Sequence, residues 1–345
     1  AIAVIGAQHV IVESNITVNT GSSGVYLQYA TNIVVRANHV RRACYARSQE
    51  CISVAEDSYN VDVCFNRVHE GLGLYPGGEG IDIKNGSSAV RVFGNVIYDL
   101  VDDVGLYVDA YERHTRNIEV FNNTVCAPEG IVVSSEQGGL MENVRVYNNI
   151  VYGAETYGIL LAGWLADGLK SNVMFVNNTV FSNGWPGDEG GIFIQSTNIR
   201  AVVVRNNIVS QNDKFQIRVR TAALPYVTVD YNLIDGYRGL SGYEEVKGSN
   251  CVEGAPLFVD AAALNFHLLQ SSPAIDAATP NGAPDFDFDW LPRPLDGTSD
   301  GQALPDIGAF EFVPEPAFIC HLSLVAAGLV CRLQQRACRS AGCCT

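Results

Sequence analysis

The stretch Val90–Ile97, VRVFGNVI, decides the fold. Val90 and Val92 alternate with the residues between them, the period-two signature of a half-buried strand, and the phrase closes on Asn95 followed by two more apolar residues. The phrase returns as IEVFNNTV at 118–125, VRVYNNIV at 144–151 and VVVRNNIV at 202–209. Its asparagines are Asn15, Asn38, Asn66, Asn95, Asn123, Asn149, Asn178, Asn207 and Asn232, at intervals of 23 to 29 residues. The positions five and three before each are apolar every time. A second recurring phrase is Gly, apolar, any, apolar, beginning at Gly24, Gly80, Gly105, Gly130, Gly158 and Gly191, with Cys51 once in the glycine's place.

Each repeat therefore holds at least two short strands and a bend at Asn. The segments are rich in Val, Ile, Tyr and Thr, and lack the three-and-four apolar spacing of a helical repeat. A unit of this length cannot bury its apolar face alone, so stacked copies share one core. The reading is an all-β fold, a right-handed parallel β-helix of about nine coils, the hand following from the general rule for parallel crossovers. The recurring Asn is expected to form an internal ladder, each amide bonding the next coil at a bend that would otherwise leave backbone groups unpaired.

Composition agrees and narrows the partners. The chain has 345 residues, 47% hydrophobic and 17% charged, with a formal charge of −15. Nucleic acid and anionic membranes are poor partners for such a surface, because Lys and Arg must neutralise phosphates there. Divalent cations, neutral sugars, or acidic sugars held through a cation fit better. Of ten cysteines, Cys320, Cys331, Cys338, Cys343 and Cys344 crowd the C-terminus. Cys44, Cys51 and Cys64 are near enough in sequence to allow one bridge, while Cys126 and Cys251 read as small buried hydrophobes.

In a Gly-apolar-any-apolar strand the apolar pair points inward, so the residue between them and the one after point outward. Coil by coil, the outward pairs include Tyr26 with Gln28, Asp82 with Lys84, and Tyr107 with Asp109. Ionisable groups thus occupy two adjacent coils. Lys84 and Asp109 are expected as direct neighbours about 4.8 Å apart, with Asp82 and Asp109 on a diagonal of roughly 8 Å. Long polar turns flank this level and supply Tyr111, Arg113 and His114 on one side, and His69, Tyr75 and Glu79 on the other. Trp164, with Asp167 and Lys170, extends the same face as a platform for a sugar ring. An acidic row of Glu50, Glu79, Asp102, Asp103 and Glu129 precedes the strands. Stacked carboxylates repel unless a cation sits among them, which makes Ca²⁺ near Glu79, Asp102 and Asp103 the expected cofactor.

The repeat over residues 8 to 240 resembles the pectate-lyase-like superfamily of right-handed β-helix proteins. The segments SSPAIDAATP at 271–280, RPLDG at 293–297 and DIGAFEF at 306–312 are similar to the closing segment of secreted bacterial β-helix proteins with interchangeable surface anchors. VPEPA at 313–317, the apolar run through Val330, and Arg332, Arg336 and Arg339 resemble a PEP-type C-terminal sorting signal. The organisation expected is a β-helix over 1–240, a closing segment over 241–312 and an anchor-like tail over 313–345. The resemblance implies a secreted or cell-surface bacterial protein, a monomer, whose partner is a polysaccharide, acidic rather than neutral, and not nucleic acid.

GIDIKNG at 80–86 looks like the Lys-bearing strand of the alginate-lyase branch, and VDDVGLYVD at 101–109 is similar to a calcium-binding acidic strand of a pectate-lyase branch. Carried over, Lys84 is the base of a calcium-assisted β-elimination and Asp102, Asp103 and Asp109 are calcium ligands. Asp109 stands where the first pattern expects Arg, so Arg113 or His114 would supply the acid. Two other functions stay open: an inverting glycoside hydrolase using Asp82 and Asp109, and a non-catalytic glycan-binding or surface protein.

Overall fold

The computed structural model describes residues 1–314 apart from 47–48, 73–76, 102 and 186–188. The chain winds through three parallel sheets along one axis. The first has nine strands, from Ile2–Ile5 through Ile81–Ile83 and Val104–Val108 to Ile217–Val219. The second has nine, from Gln8–Glu13 to Val227–Asp230, and the third ten, from Ile16–Val18 to Val252–Glu253. Within these three sheets the strands pair with the equivalent strand one coil away, as Ile81–Ile83 does with Ile52–Ala55 and Val104–Val108, and Phe258–Asp260 pairs antiparallel with Asn265–Leu268 apart from them. Among the described residues the only helical turns are two short 3₁₀ segments, Thr221–Tyr226 and Ala261–Ala263.

The inward residues form one continuous core running from Val4 to Ile234. The asparagine ladder is complete from Asn15 to Asn232. The Asn95 side-chain amide, for instance, donates to Asn123 Oδ1 at 2.9 Å and to the Val63 carbonyl at 2.9 Å, and the Asn95 backbone N–H donates to the same Asn123 oxygen. Each amide so satisfies two backbone groups at a bend where strand pairing is broken. The glycines that open the first-sheet strands are there for close approach: a Cβ on Gly130 would stand 2.1 Å from the Gly158 carbonyl oxygen.

The residue before each ladder asparagine lies in the left-handed region, from Ser14 to Tyr231. Asn tolerates that conformation better than other side chains with a Cβ, which accounts for the Asn-Asn pairs at 122–123, 148–149, 177–178 and 206–207. Those first asparagines point away from the core and hold the closing segment. Asn122 Nδ2 donates to the Phe288 carbonyl at 2.9 Å, Asn148 Nδ2 to Phe286 at 2.7 Å, Asn177 Nδ2 to Asp306 at 2.9 Å and Asn206 Nδ2 to Thr279 at 2.8 Å. Apolar contacts complete the seam, with Phe258, Phe266 and Phe310 set on Tyr98, Tyr152 and Phe181 of the third sheet.

The closing segment is tied internally by buried charge. Arg293 and Glu311, both fully buried, form an ion pair at 2.9 Å, and Glu311 accepts the Leu295 and Asp306 N–H groups. Asp306 in turn accepts the Asp276 N–H. The motifs at 271–280, 293–297 and 306–312 thus meet in one network.

The cysteine expectation needs correction. Cys44, Cys51 and Cys64 form no disulfide, and Cys51 lies hydrogen-bonded against Cys44 inside the core. Cys251 is only half-buried. The sorting-type tail from 315 onward lies outside the described residues.

Candidate active site on the first sheet

The outward row of the first sheet is Ala3, Tyr26, Ser53, Asp82, Tyr107, Val132, Leu160, Phe193 and Arg218, each in register with the next. Alternation puts them on the outer face, yet most are covered. Ser53, Val132 and Leu160 have almost no exposure and Asp82 has 2%. Outward here does not mean solvated, because side chains outside the row, Tyr157, Trp164, Phe215 and Tyr243, pack onto Tyr107, Val132, Leu160 and Phe193.

Asp82, Lys84 and Asp109 lie near enough to act on one another, and the pairing differs from the one expected. Lys84 does not bond Asp109. Its ammonium reaches back to Glu50, one coil earlier, in a very close ion pair, and to Asp82 Oδ2 on its own strand at 3.2 Å. The long side chain bends toward the side where two carboxylates are available instead of one. Burial works against the Lys84 charge, but Asp82 and Glu50 outweigh it and raise its pKa above the ordinary lysine value. Burial pushes the Asp82 carboxyl well up, with Glu50 and Glu79 adding to the rise against Lys84. Asp109 is 5% exposed and pushed up to about 7, first by burial and then by Glu136. Glu79 is pushed up to about 8 by burial, Asp103 and Glu50. One oxygen each of Glu50, Glu79, Asp82 and Asp109 is buried without a hydrogen-bond partner.

Tyr107 stands beside Asp82 in register, and its hydroxyl donates to Glu136 at 2.5 Å. The Trp164 ring lies 6.2 Å from the Tyr107 ring, tilted at 54°, which places it over the same floor. The turn that carries Trp164 is held by Lys170. That side chain is fully buried, pairs with Asp167 and donates to the Gly168 carbonyl at 3.0 Å, while Asp167 accepts the Ser196 hydroxyl at 2.7 Å. Tyr26, half-buried, lies two coils from Asp82 and near enough to Glu50 and Lys84 to feel their charge.

Other expected members stand elsewhere. Arg113 is exposed and pairs with Asp57 at 2.5 Å and Glu56 at 3.3 Å, at the corner between the first and second sheets. His114 begins a second-sheet strand and faces Glu142 at 3.2 Å. Neither contacts Lys84 in this structure, because the turn after Asp109 carries both past the corner. Tyr111 is 40% exposed on the same turn. Asp102 and Tyr75 lie outside the described residues. Asp103 Oδ1 accepts the Val104 N–H at 2.8 Å. Among the described residues no group of three or more His, Cys, Asp or Glu is arranged to hold a metal ion. Of the expected calcium set, Asp102 lies outside the described residues, Asp103 is near enough to Glu79 to raise its pKa, and the cation lying among the acids is Lys84.

Sequence reasoning undervalued Glu50 and missed Glu136. Glu50 sits in a turn before its strand and Glu136 in a turn after one, where strand alternation gives no direction for a side chain.

Residues 115–234 match the family of the right handed beta helix region. No curated protein matches the chain in sequence. Among solved structures, the β-helix is similar to the pectate lyase Pel9A, with 15% identity and a TM-score of 0.49 over 86% of this chain and 70% of that one. XylC in complex with xylose follows at 13% identity and a TM-score of 0.46, over 83% of this chain and 50% of that one. The periplasmic alginate epimerase AlgG aligns at 13% identity and a TM-score of 0.40, over 68% of this chain and 61% of that one. The chain thus spans half of XylC and less than two thirds of AlgG. These likenesses concern the fold alone.

Proposed function

We propose that the chain is a secreted polysaccharide-acting enzyme working by carboxylate acid–base chemistry in the first-sheet groove. The observation that carries this reading is a pair of buried carboxyls, Asp82 and Asp109, on the outer face of adjacent coils. Burial pushes the Asp82 carboxyl well above the ordinary range and the Asp109 carboxyl up to about 7, and each keeps one buried oxygen without a hydrogen-bond partner. Two neighbouring carboxyls in different surroundings, Asp82 beside Lys84 and Glu50 and Asp109 beside Glu136, suit an acid and a base. Asp82 would protonate the departing glycosidic oxygen, and Asp109 would take a proton from the attacking water. Their diagonal across one coil step, roughly 7–8 Å, fits the spacing that leaves room for a water in an inverting hydrolase. Trp164 and Tyr107 offer an aromatic edge for a sugar ring.

Elimination with Lys84 as base fits the geometry less well. A base must first be neutral, and the close ion pair with Glu50 holds the ammonium charged.

The test is a panel of neutral and uronic-acid polysaccharides read by reducing ends and by absorbance of unsaturated products. New reducing ends without absorbance, lost by at least a hundredfold in Asp109→Asn, are expected. Absorbance rising with reducing ends would overturn the hydrolytic reading in favour of elimination. Silence across the panel would leave the fold as a glycan-binding or structural one.

A further inference from the structure

The outer face of the second sheet carries an interrupted ladder of asparagines. At one position per coil the chain adopts the left-handed conformation, at Asn32, Asn60, Ala89, Asn117, Asn143, Asn172 and Ala201, with φ between 53° and 58°. Where asparagines follow one another they bond in a single direction, each later amide donating to the earlier carbonyl oxygen. Asn60 Nδ2 donates to Asn32 Oδ1 at 2.6 Å, Asn143 Nδ2 to Asn117 Oδ1 at 3.0 Å and Asn172 Nδ2 to Asn143 Oδ1 at 2.7 Å.

Ala89 interrupts this chain. Because the polarity is fixed, the Asn60 side-chain oxygen is left as an acceptor on one side of the gap and the Asn117 amide as a donor on the other. Coils stack about 4.8 Å apart, so the two face each other across roughly 9–10 Å with a methyl group as the floor. A surface pocket lies at this place, lined by Asn60, Ala89, Arg91 and Asn117 among others. The charges beside it are self-neutralised: Arg91 is bidentate to Asp62 at 2.8 and 2.6 Å, and Arg145 lies 3.8 Å from Glu119.

We propose that this notch binds one neutral sugar unit. A donor and an acceptor facing each other call for a ligand that both accepts and donates, as a hydroxyl does, and the balanced charges give no preference for an ion. The notch lies on a different sheet from the Asp82 and Asp109 groove, so the proposal stands whether or not that groove is catalytic.

Ala89→Asn is the deciding variant. Asn suits the left-handed backbone better than Ala, so the fold is retained while the new amide completes the ladder and fills the notch. Ala201→Asn extends the same ladder at its far end and serves as the control. The full chain, and the Asp109→Asn variant, are titrated with glucose, galactose, xylose and their linear tetramers, following side-chain amide resonances by NMR. The expected result is a saturable shift of the Asn117 amide by at least one of these sugars, equal in Asp109→Asn and Ala201→Asn and weakened at least tenfold in Ala89→Asn. An Asn117 amide that none of the sugars moves, or Ala89→Asn binding as the parent does, would overturn the proposal.

Discussion

Lys84 shows how one side chain's direction decides what it can do. Strand alternation places it correctly on the outer face, but says nothing about whether an amine on a four-carbon stem leans toward the preceding or the following coil. Here it leans toward Glu50 and Asp82, which changes it from a base into the charge that makes a buried acidic floor tolerable. Removing one partner of a buried ion pair leaves the other uncompensated, at about 3–5 kcal/mol. Lys84→Met should accordingly lower stability by roughly 3 kcal/mol in urea unfolding. Adding Glu50→Gln should restore part of the loss. A Lys84→Met protein as stable as the parent would show that the pair does not hold the floor together. Asp109 gives a functional counterpart. With a base that ionises at about 7, turnover should rise as pH increases through neutrality, since only the ionised form accepts a proton. At higher pH turnover should fall again when Asp82 loses its proton. A rate that is flat from pH 5.5 to 8 on an identified substrate would exclude Asp109 as the base.

At the scale of elements, the closing segment is held by a pattern whose meaning was only half legible. The ladder asparagines and their inward valines could be read from sequence because their role repeats in every coil. The asparagine just before each, at 122, 148, 177 and 206, looks in sequence like a second copy of the same signal. Its role is different: left-handed backbone turns it outward, where it bonds carbonyls of a segment 70 or more positions further along the chain. The coils with Ala37, Phe65 or Gly94 at this place lack that bond, so the Asn-Asn pairs mark where the segment docks. Long-range partners of this kind have no local signature, and the same holds for Glu50 and Glu136 in the groove, which enter from turns. A side-chain hydrogen bond to the backbone contributes about 1 kcal/mol net, and more when its loss leaves a buried carbonyl unpaired. Asn148→Ala combined with Asn177→Ala should cost roughly 2–4 kcal/mol. The double variant should be cleaved first within 279–308 under limited proteolysis, while the β-helix coils stay intact. Cleavage starting in the coils, or none beyond that of the parent, would count against this role.

For the whole molecule, the buried acids set how stability responds to pH. Asp109 is pushed up to about 7, Glu79 and Asp306 to about 8, and Asp287 to about 6, each first by burial. In the unfolded chain the same groups release their protons near 4. Between about pH 4 and 8 the folded protein therefore holds protons that the unfolded chain has given up, and unfolding releases them. The stability these groups contribute is complete below about 4 and is lost as pH rises through their folded values. His69 acts in the opposite sense: burial, with His39 and Arg67 beside it, lowers its pKa to about 4. Its contribution is present above the ordinary histidine value and lost as pH falls toward 4. Above about pH 6.5 the histidine no longer titrates, so the acids act alone there. Self-repulsion in a chain of formal charge −15 adds to them. Melting temperature measured by calorimetry should then fall steadily from pH 6.5 to 8.5, and pairing Glu79→Gln with Asp109→Asn should flatten the decline by removing two of the groups that drive it. A melting temperature that rises over this interval, or a decline unchanged in the double variant, would mean that the acids on the groove floor are already ionised in the folded protein, and with them would go the assignment of Asp82 as the acid.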